Sequence, residues 1–510
     1  MMSVVENHAA ILVVLLPLLS APLAMLFGNR HVAYLLSIAS SVASFLLAIY
    51  LVLLVKDGSV LSYHIGGWAP PLGIEYRIDA ANALVLLIVS AMSVAVLPYA
   101  RTSIKKEIAE KNHALFYACF MLCFTGLMGV TITGDAFNVF VFLEISSLST
   151  YVLVALGAEK DRRALSAAYD YLVLGTIGAT FFVIGLGLIY MATGTLNMVD
   201  LSERLATMEG NRTVRSAYAF IVIGMGLKLA IYPLHRWLPG AYTYAPSAVS
   251  AFLAATATKV AIYVVVRFMF SVFSIQFGFE QDTLKFIFFP FAIIAMFAAS
   301  FIAVFQVNVK RLLAYSSVAQ IGYMLLGIAL FSATGLSASL VHLFNHAVTK
   351  GALFLAVGAI IYQTGSPMVA HMAGLGKKMP WTSAAIVVGG LSLIGVPGTV
   401  GFVSKWVLLN AALEVGLWPV SLMIVLSSLI AVVYVWKLVE LLYLAPAAED
   451  SQVTEAPLSL LVPMWGLVLV TIWFGFNADF TVQVSDMAAS SLFSGGFGKE
   501  AIIMGTEGRP

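Results

Sequence analysis

Charge is what this chain lacks most. Only 10% of its 510 residues are Asp, Glu, Lys or Arg, while 61% are hydrophobic. A soluble globular domain carries about 25% charged residues, so the composition excludes that class. Cysteine is nearly missing as well. Cys119 and Cys123 lie four residues apart in one apolar run, which reads as two small core residues on a helix rather than a disulfide or metal site. No polar stretch is long enough for a soluble domain, because the longest connections, about 56–78, 193–215 and 364–381, have only the length of loops. The first apolar run has no basic start and no small-residue cleavage site, so it reads as a membrane span and not a cleaved leader. Alternation of polar and apolar residues is absent too, which excludes a β-barrel. Neither a cofactor-binding motif nor a nucleic-acid partner is expected.

What the chain has is apolar runs of the roughly 20 residues needed to cross a bilayer. They predict an all-α polytopic membrane protein of fourteen transmembrane helices, near 9–27, 32–55, 79–99, 114–133, 136–157, 167–192, 216–238, 246–271, 284–306, 311–332, 336–363, 382–412, 417–444 and 457–478. An even count puts both termini on one side. The loops after odd-numbered spans hold thirteen Lys and Arg residues, and the opposite loops and tails hold eight, Lys499 and Arg509 among them. The richer side is expected to be cytoplasmic, with both termini outside.

Six basic residues remain within spans: Lys228, Lys259, Arg267, Lys350, Lys405 and Lys437. Arg267, near a helix end, is expected to snorkel to the interface. Lys437 could do the same or pair with Glu440. The other four lie deep, where a charge costs a few kcal/mol and needs a partner or water. Glu144, mid-span in "NVFVFLEISSLSTYVLV", is the acid placed to pair with one of them. Such a pair could serve packing alone. Several lysines with histidines in different spans are harder to explain by packing, since apolar replacements would cost no stability. In "VHLFNHAVTKGALF", His342, His346 and Lys350 recur every four residues along one helix face. Two histidines at this spacing could hold a haem or metal, or satisfy each other, but the lysine on the same face disfavours a cation. A proton relay fits better, because each ring can accept a proton on one nitrogen and release one from the other.

Two spans are interrupted. Pro233 follows Lys228, and "GVPGTVGF" (395–402) precedes Lys405. Proline removes a backbone donor and clashes with the preceding turn, and the freed carbonyls must find protein or water. Broken helices at membrane depth mark ion or proton cavities. The segment 165–195 lies over 336–366 at an offset of 171 residues, "YVLVALG" (151–157) resembles "YMLLGIA" (323–329) at 172, and Lys228/Lys405 and Lys259/Lys437 are 177 and 178 apart. Two five-span repeats are implied, spans 4–8 and 9–13. Because five is odd, the second is inverted in the membrane. The expected units are an N-terminal three-helix segment (1–113), the first repeat (114–271), the second repeat (284–444) and a final helix with tail (445–510).

"DAFNVFVFLEISSLSTYVL", "GLKLAIYPLHRWLPGAYTYAPSAVSAFLAATATKVAIY", "VKRLLAYSSVAQIGYMLLG", "HLFNHAVTKGALFL" and "GVPGTVGFVSKW" resemble the proton-translocating antiporter-like family. Its members are the D and A subunits of Mrp-type cation/proton antiporters, the three large membrane-arm subunits of respiratory complex I, and related hydrogenase subunits. The resemblance runs from about residue 70 to 445. It implies fourteen spans, inverted five-helix repeats, broken helices 7 and 12, and termini outside the cell membrane of a bacterium. By motif, Glu144 and Lys228 match a switching ion pair, Lys259 the central lysine, His342 and His346 the histidines of the eleventh span, and Lys405 the terminal group of the twelfth. The lysine in "GFVSKW" and the short tail are most similar to an Mrp D subunit. That implies a subunit of a hetero-oligomeric Na+/H+ antiporter, with protons and Na+ as the transported ions. A complex I-type or hydrogenase membrane-arm subunit is the alternative.

Overall fold

The computed structural model describes residues 2–273, 278–446, 453–493 and 501–504. Lys499 and Arg509 lie outside them. The first half comprises α1 (Met2–Phe27), α2 (Arg30–Val55), β1 (Leu61–His64), β2 (Glu75–Ile78), α3 (Ala80–Glu107), α4 (His113–Ile132), α5 (Ala136–Ala155), α6 (Arg163–Thr193), α7 (Met198–Leu205), α8 (Arg212–Leu229), α9 (Trp237–Tyr244) and α10 (Ser247–Val266). The second comprises α11 (Gly278–Thr283), α12 (Phe289–Val304), α13 (Val309–Ala329), α14 (Ala333–Thr364), α15 (Leu375–Lys378), α16 (Pro380–Ile394), α17 (Val400–Glu414), α18 (Trp418–Tyr443), α19 (Leu458–Phe476), α20 (Asp479–Phe493) and β3 (Ile502–Met504).

Twelve helices among the described residues are long and apolar enough to cross a membrane. The other two expected spans are the interrupted ones. Span 7 is split into α8 and α9, and span 12 into α16 and α17. The twelve and the two broken spans together give the fourteen expected crossings.

Helix starts follow from side-chain caps. Asp79 accepts from Ala81 and Asn82 N–H in a capping box, and Asn197, Asn211, Asn308 and Ser332 cap α7, α8, α13 and α14. Such caps satisfy N–H groups that a helix start would otherwise leave orphaned.

The core lies around α14. Every residue from Gly335 to Ile360 is buried, the polar His342, Asn345, His346, Thr349 and Lys350 included, so this helix has neighbours on all sides. Against it pack α3, α10, α13 and α17. The large exposed apolar side chains are concentrated on α1, α2, α6, α18 and α19, which form the periphery.

The repeat is visible in the backbone. Ala136 N–H donates to Leu196 C=O at 2.8 Å and Met198 N–H to Gly134 C=O at 2.9 Å; Val309 N–H donates to Pro367 C=O at 2.9 Å and Val369 N–H to Val307 C=O at 2.8 Å. Gly194 (φ 74°) and Gly365 (φ 72°) end α6 and α14 in the left-handed region. Thr193 and Thr364 bond to Ile189 and Ile360 in the same way. The same joint therefore occurs twice at offsets of 171–173 residues, five crossings apart and so on opposite faces.

Several expectations are corrected. The connection 56–78 is not only loop. It holds the β1–β2 hairpin, and β3 from the chain's end joins β1 in parallel. That pairing brings the C-terminal segment to the face of this loop, as an even number of crossings requires. In the connection 193–215, α7 buries Met198, Leu201 and Leu205 at helical spacing. Beyond span 14, α20 turns back to pack on α14 and α3. Arg267 does not snorkel. It is 4% exposed and pairs with Asp79 at 2.7 Å, because the start of α3 offers a carboxylate at that depth. Lys437 does not pair with Glu440 either; its Nζ donates to Val304 and Gln306 C=O at 3.0 and 3.1 Å, satisfying the end of α12. Lys228 and Lys405 are not equivalent positions, since the first precedes its break and the second follows its own.

Candidate functional site

Glu144 lies on α5 and Lys228 in the last turn of α8. Lys228 Nζ lies 3.4 Å from Glu144 Oε1 and donates to Ser147 Oγ at 2.7 Å. The pair is loose and unequal: the Glu144 side chain is 23% exposed at the lateral surface, and that of Lys228 only 6%. Two residues after the lysine, Ala230 takes φ 61° and ends α8, an uncommon conformation for a residue with a Cβ. The break leaves carbonyls to be satisfied, and Trp237 Nε1 donates to one of them, Leu227 C=O, at 2.8 Å. Lys228 thus sits at a helix C-terminus, where the backbone dipole favours a cation.

Lys259, on α10, is fully buried. Its Nζ donates to Ala254 C=O and lies 3.4 Å from Thr258 Oγ1. Lys350, on α14, donates to Leu313 C=O at 2.8 Å and to Ser316 Oγ. Ser316 stands near the place in the second repeat where Glu144 falls in the first, and it offers a hydroxyl instead of a carboxylate. Among the described residues, Lys228 is the only one of the four deep lysines with an ion pair. The others are held by carbonyls and hydroxyls, which tolerate either a charged or a neutral amine.

The histidines lie one turn apart with rings parallel, 6.1 Å between centroids and 2° between planes. Both nitrogens of His342 are engaged, Nδ1 with Ser404 Oγ and Nε2 with Gln320 Oε1, each at 2.8 Å. Neither nitrogen of His346 meets a partner among the described residues, although the residue is 2% exposed. Buried polar atoms are seldom left so, and ordered water is their usual partner. Stacked rings with one pair of nitrogens occupied do not converge on a single ion. No group of three or more His, Cys, Asp or Glu able to hold a metal occurs among the described residues.

Lys405, on α17, reaches back across the second break. Its Nζ donates to Leu393 and Ile394 C=O at 2.8 and 2.9 Å and to Ser428 Oγ at 2.9 Å. It lies 4.8 Å from the centre of the Tyr323 ring. That ring is 5.7 Å from His342, and its hydroxyl lies 3.3 Å from Ser428 Oγ. Tyr323 and Ser428 thus lie between His342 and Lys405, while Gln320 and Ser404 hold the His342 ring.

Sequence reasoning missed these four residues. Their signal was the one that found the lysines, polar side chains at membrane depth, but a hydroxyl or amide in a span is commonly satisfied by its own helix and attracts less notice. The predicted residues do not form one bonded chain. Glu144 touches Lys228 directly, Tyr323 and Ser428 lie between His342 and Lys405, and Lys350 turns toward α13 instead of the histidines. Lys259 makes its bonds within α10.

The chain is 38% identical over 498 residues to the N subunit of the NADH-quinone oxidoreductase of Desulforudis audaxviator, covering 94% of this chain and 98% of that one. It is 29% identical over 486 residues to the D subunit of the Na(+)/H(+) antiporter of Alkalihalophilus pseudofirmus, covering 94% and 97%. Its fold matches a chain in the structure of the Mrp complex from Dietzia sp. DQ12-45-1b with a TM-score of 0.86 at 26% identity, over 96% and 98% of the two chains. A lysine–histidine series crossing both repeats and relatives matched nearly end to end agree with the family profile matching residues 133–431, and the chain belongs to the NADH:quinone oxidoreductase/Mrp antiporter transmembrane family of proton-translocating membrane subunits.

Proposed function

We propose that this chain carries protons laterally through the membrane along Glu144, Lys228, Lys259, His346, His342 and Lys405, with Lys350 as a side branch, as one subunit of a hetero-oligomeric cation/proton antiporter. The observation that carries the reading is the series of deep lysines and histidines crossing both repeats, with a carboxylate partner at one end only. A buried lysine loses its proton more easily when a neighbouring carboxylate moves away. Opening the loose Glu144–Lys228 pair would push charge toward Lys259, and each site would bias the next, so the groups titrate together. The partial exposure of Glu144 suits coupling to a neighbouring subunit. Where direct bonds are missing, water would complete the relay. No step requires a covalent intermediate or a cofactor.

Sodium requires oxygen ligands, and a row of lysines repels it. Na+ is therefore assigned to other subunits. Both termini are assigned to the outside, on the basic bias of the odd-numbered loops.

The second reading is a redox-driven proton translocase, favoured by the 38% identity to a quinone oxidoreductase subunit. The same axis would serve, with a different driver. Co-purifying chains decide between them: iron–sulfur or flavin subunits support the redox complex, and small membrane subunits alone support the antiporter.

The axis itself is tested in inside-out vesicles with a pH-sensitive dye. Glu144→Ala and Lys228→Ala are expected to lower proton uptake by tenfold or more, a barrier increase of roughly 1.4 kcal/mol. Full uptake in either variant, at normal abundance, would refute the scheme.

A further inference from the structure

The axis makes no use of Lys310 or Glu107. Lys310, in the first turn of α13, is 5% exposed, although its sequence position suggested a cytoplasmic loop. Glu107 ends α3. Both reach the Ala245–Pro246 turn that joins α9 to α10. Pro246, the N-cap position of α10, has no side chain able to cap it. Glu107 supplies the missing acceptor, its Oε2 taking Ser247 N–H at 2.6 Å while Oε1 accepts from Ser103 Oγ at 2.7 Å. On the other side of the turn, Lys310 Nζ donates to Ala245 C=O. One donor and one acceptor of the turn are thus held by opposite charges from two different helices. Beside them lies a cavity of about 250 Å³ lined also by Lys160, Asp161, Asn308 and Tyr362, so the contact stands at a polar mouth and not in sealed core.

The helices joined here are the ones that carry the middle of the axis. Lys259 lies twelve residues along α10 from Ser247. Gln320, which holds His342, lies ten residues along α13 from Lys310. The α10 start is fixed to α3 by Glu107, and the turn before it is fixed to the second repeat by Lys310. Proton transfer is steep in distance, and a displacement of about 1 Å can cost a hundredfold in rate.

We propose that Glu107 and Lys310 form a two-sided clamp on the Ala245–Pro246 turn that sets the position of Lys259 against the histidines of the second repeat. They are positioning residues, and the inference rests on the proton-transfer reading above.

The test uses the full chain in its native membranes. Lys310→Met is expected to lower proton uptake roughly tenfold or more, and Lys310→Arg, which keeps a donor cation, to restore at least half of the wild-type rate. Wild-type uptake in Lys310→Met, or equal loss in both variants at equal abundance, would overturn the clamp. Glu107→Ala serves as the second variant should Lys310→Met fail to accumulate, with wild-type uptake again overturning it. Hydrogen exchange of residues 244–252 reads the clamp without reference to transport. Exchange roughly tenfold faster in Glu107→Ala supports it, and unchanged exchange overturns it. A wild-type protein that takes up no protons would refute the transport reading, while exchange would still decide the clamp.

Discussion

Two ion pairs at membrane depth look alike on paper and differ in geometry. Asp79 and Arg267 meet at 2.7 Å, with side chains 12% and 4% exposed. Asp79 also caps α3, and Arg267 reaches Tyr263 OH at 3.1 Å and Ser271 Oγ at 3.3 Å. Glu144 and Lys228 meet at 3.4 Å, the acid half-buried and the lysine already held by Ser147. Removing one partner of a tight buried pair costs about 3–5 kcal/mol, whereas loose, partly screened pairs contribute about 0–1 kcal/mol. Asp79→Ala should therefore lower the thermal unfolding midpoint in detergent sharply, and Glu144→Gln should leave it nearly unchanged while uptake falls. Equal shifts would show that Glu144 serves stability. This difference was invisible in the sequence. Glu144 could be selected because it stands mid-span, but Asp79 is the first residue of its expected span, at the membrane edge, where an acid draws no notice. Nothing in the letters says that a residue 188 positions later packs against it.

The breaks in spans 7 and 12 were legible because proline and glycine act locally, through lost donors and permitted dihedrals. Their closure was not, because it depends on what folds back. In the second break Gly401 touches the end of α16 so closely that an added Cβ would lie 1.8 Å from Ser392 C=O, and Lys405 crosses the gap to hold Leu393 and Ile394 C=O. Backbone cannot yield as a flexible side chain can. Gly401→Ala is expected to separate α17 from α16, pull Lys405 off its carbonyls and reduce both uptake and the unfolding midpoint. Gly187, on α6, has nothing within 4 Å of the added atom. Alanine there should be neutral or stabilise by up to about 1 kcal/mol through helix propensity. Unfolding midpoints of the two variants check this, and a loss in Gly187→Ala matching that in Gly401→Ala would show that helix glycines matter here for a reason other than close approach. The hairpin, α7 and α20 were missed for the same non-local reason: each packs on or pairs with a distant part of the chain.

At the scale of the molecule, the duplication predicts how damage should combine. Asp135 caps α5 by accepting from Asn138 N–H at 2.7 Å, and Asn308 caps α13 by accepting from Arg311 N–H at 3.2 Å. Each belongs to its repeat's joint, the isolated bridges Asp135–Asn197 and Asn308–Met368. The joints lie five crossings apart, on opposite faces of a hydrocarbon core roughly 30 Å thick, and share no partner. Loss of an N-cap side chain costs typically about 1 kcal/mol, and effects at distant, independent sites add within about 0.3–0.5 kcal/mol. Asp135→Ala and Asn308→Ala should therefore destabilise by similar amounts, and the double variant by their sum, in thermal unfolding of the purified chain. The sequence offset of 171 residues could show that the halves are related, but not that they are mechanically separate. That depends on whether α14, buried along most of its length and in contact with helices of both halves, transmits strain from one joint to the other. Additive losses would mean that it does not. A double variant departing from the sum by more than about 1 kcal/mol, beyond the scatter of independent sites, would mean that the joints are coupled and that the repeats fold as one unit through α14.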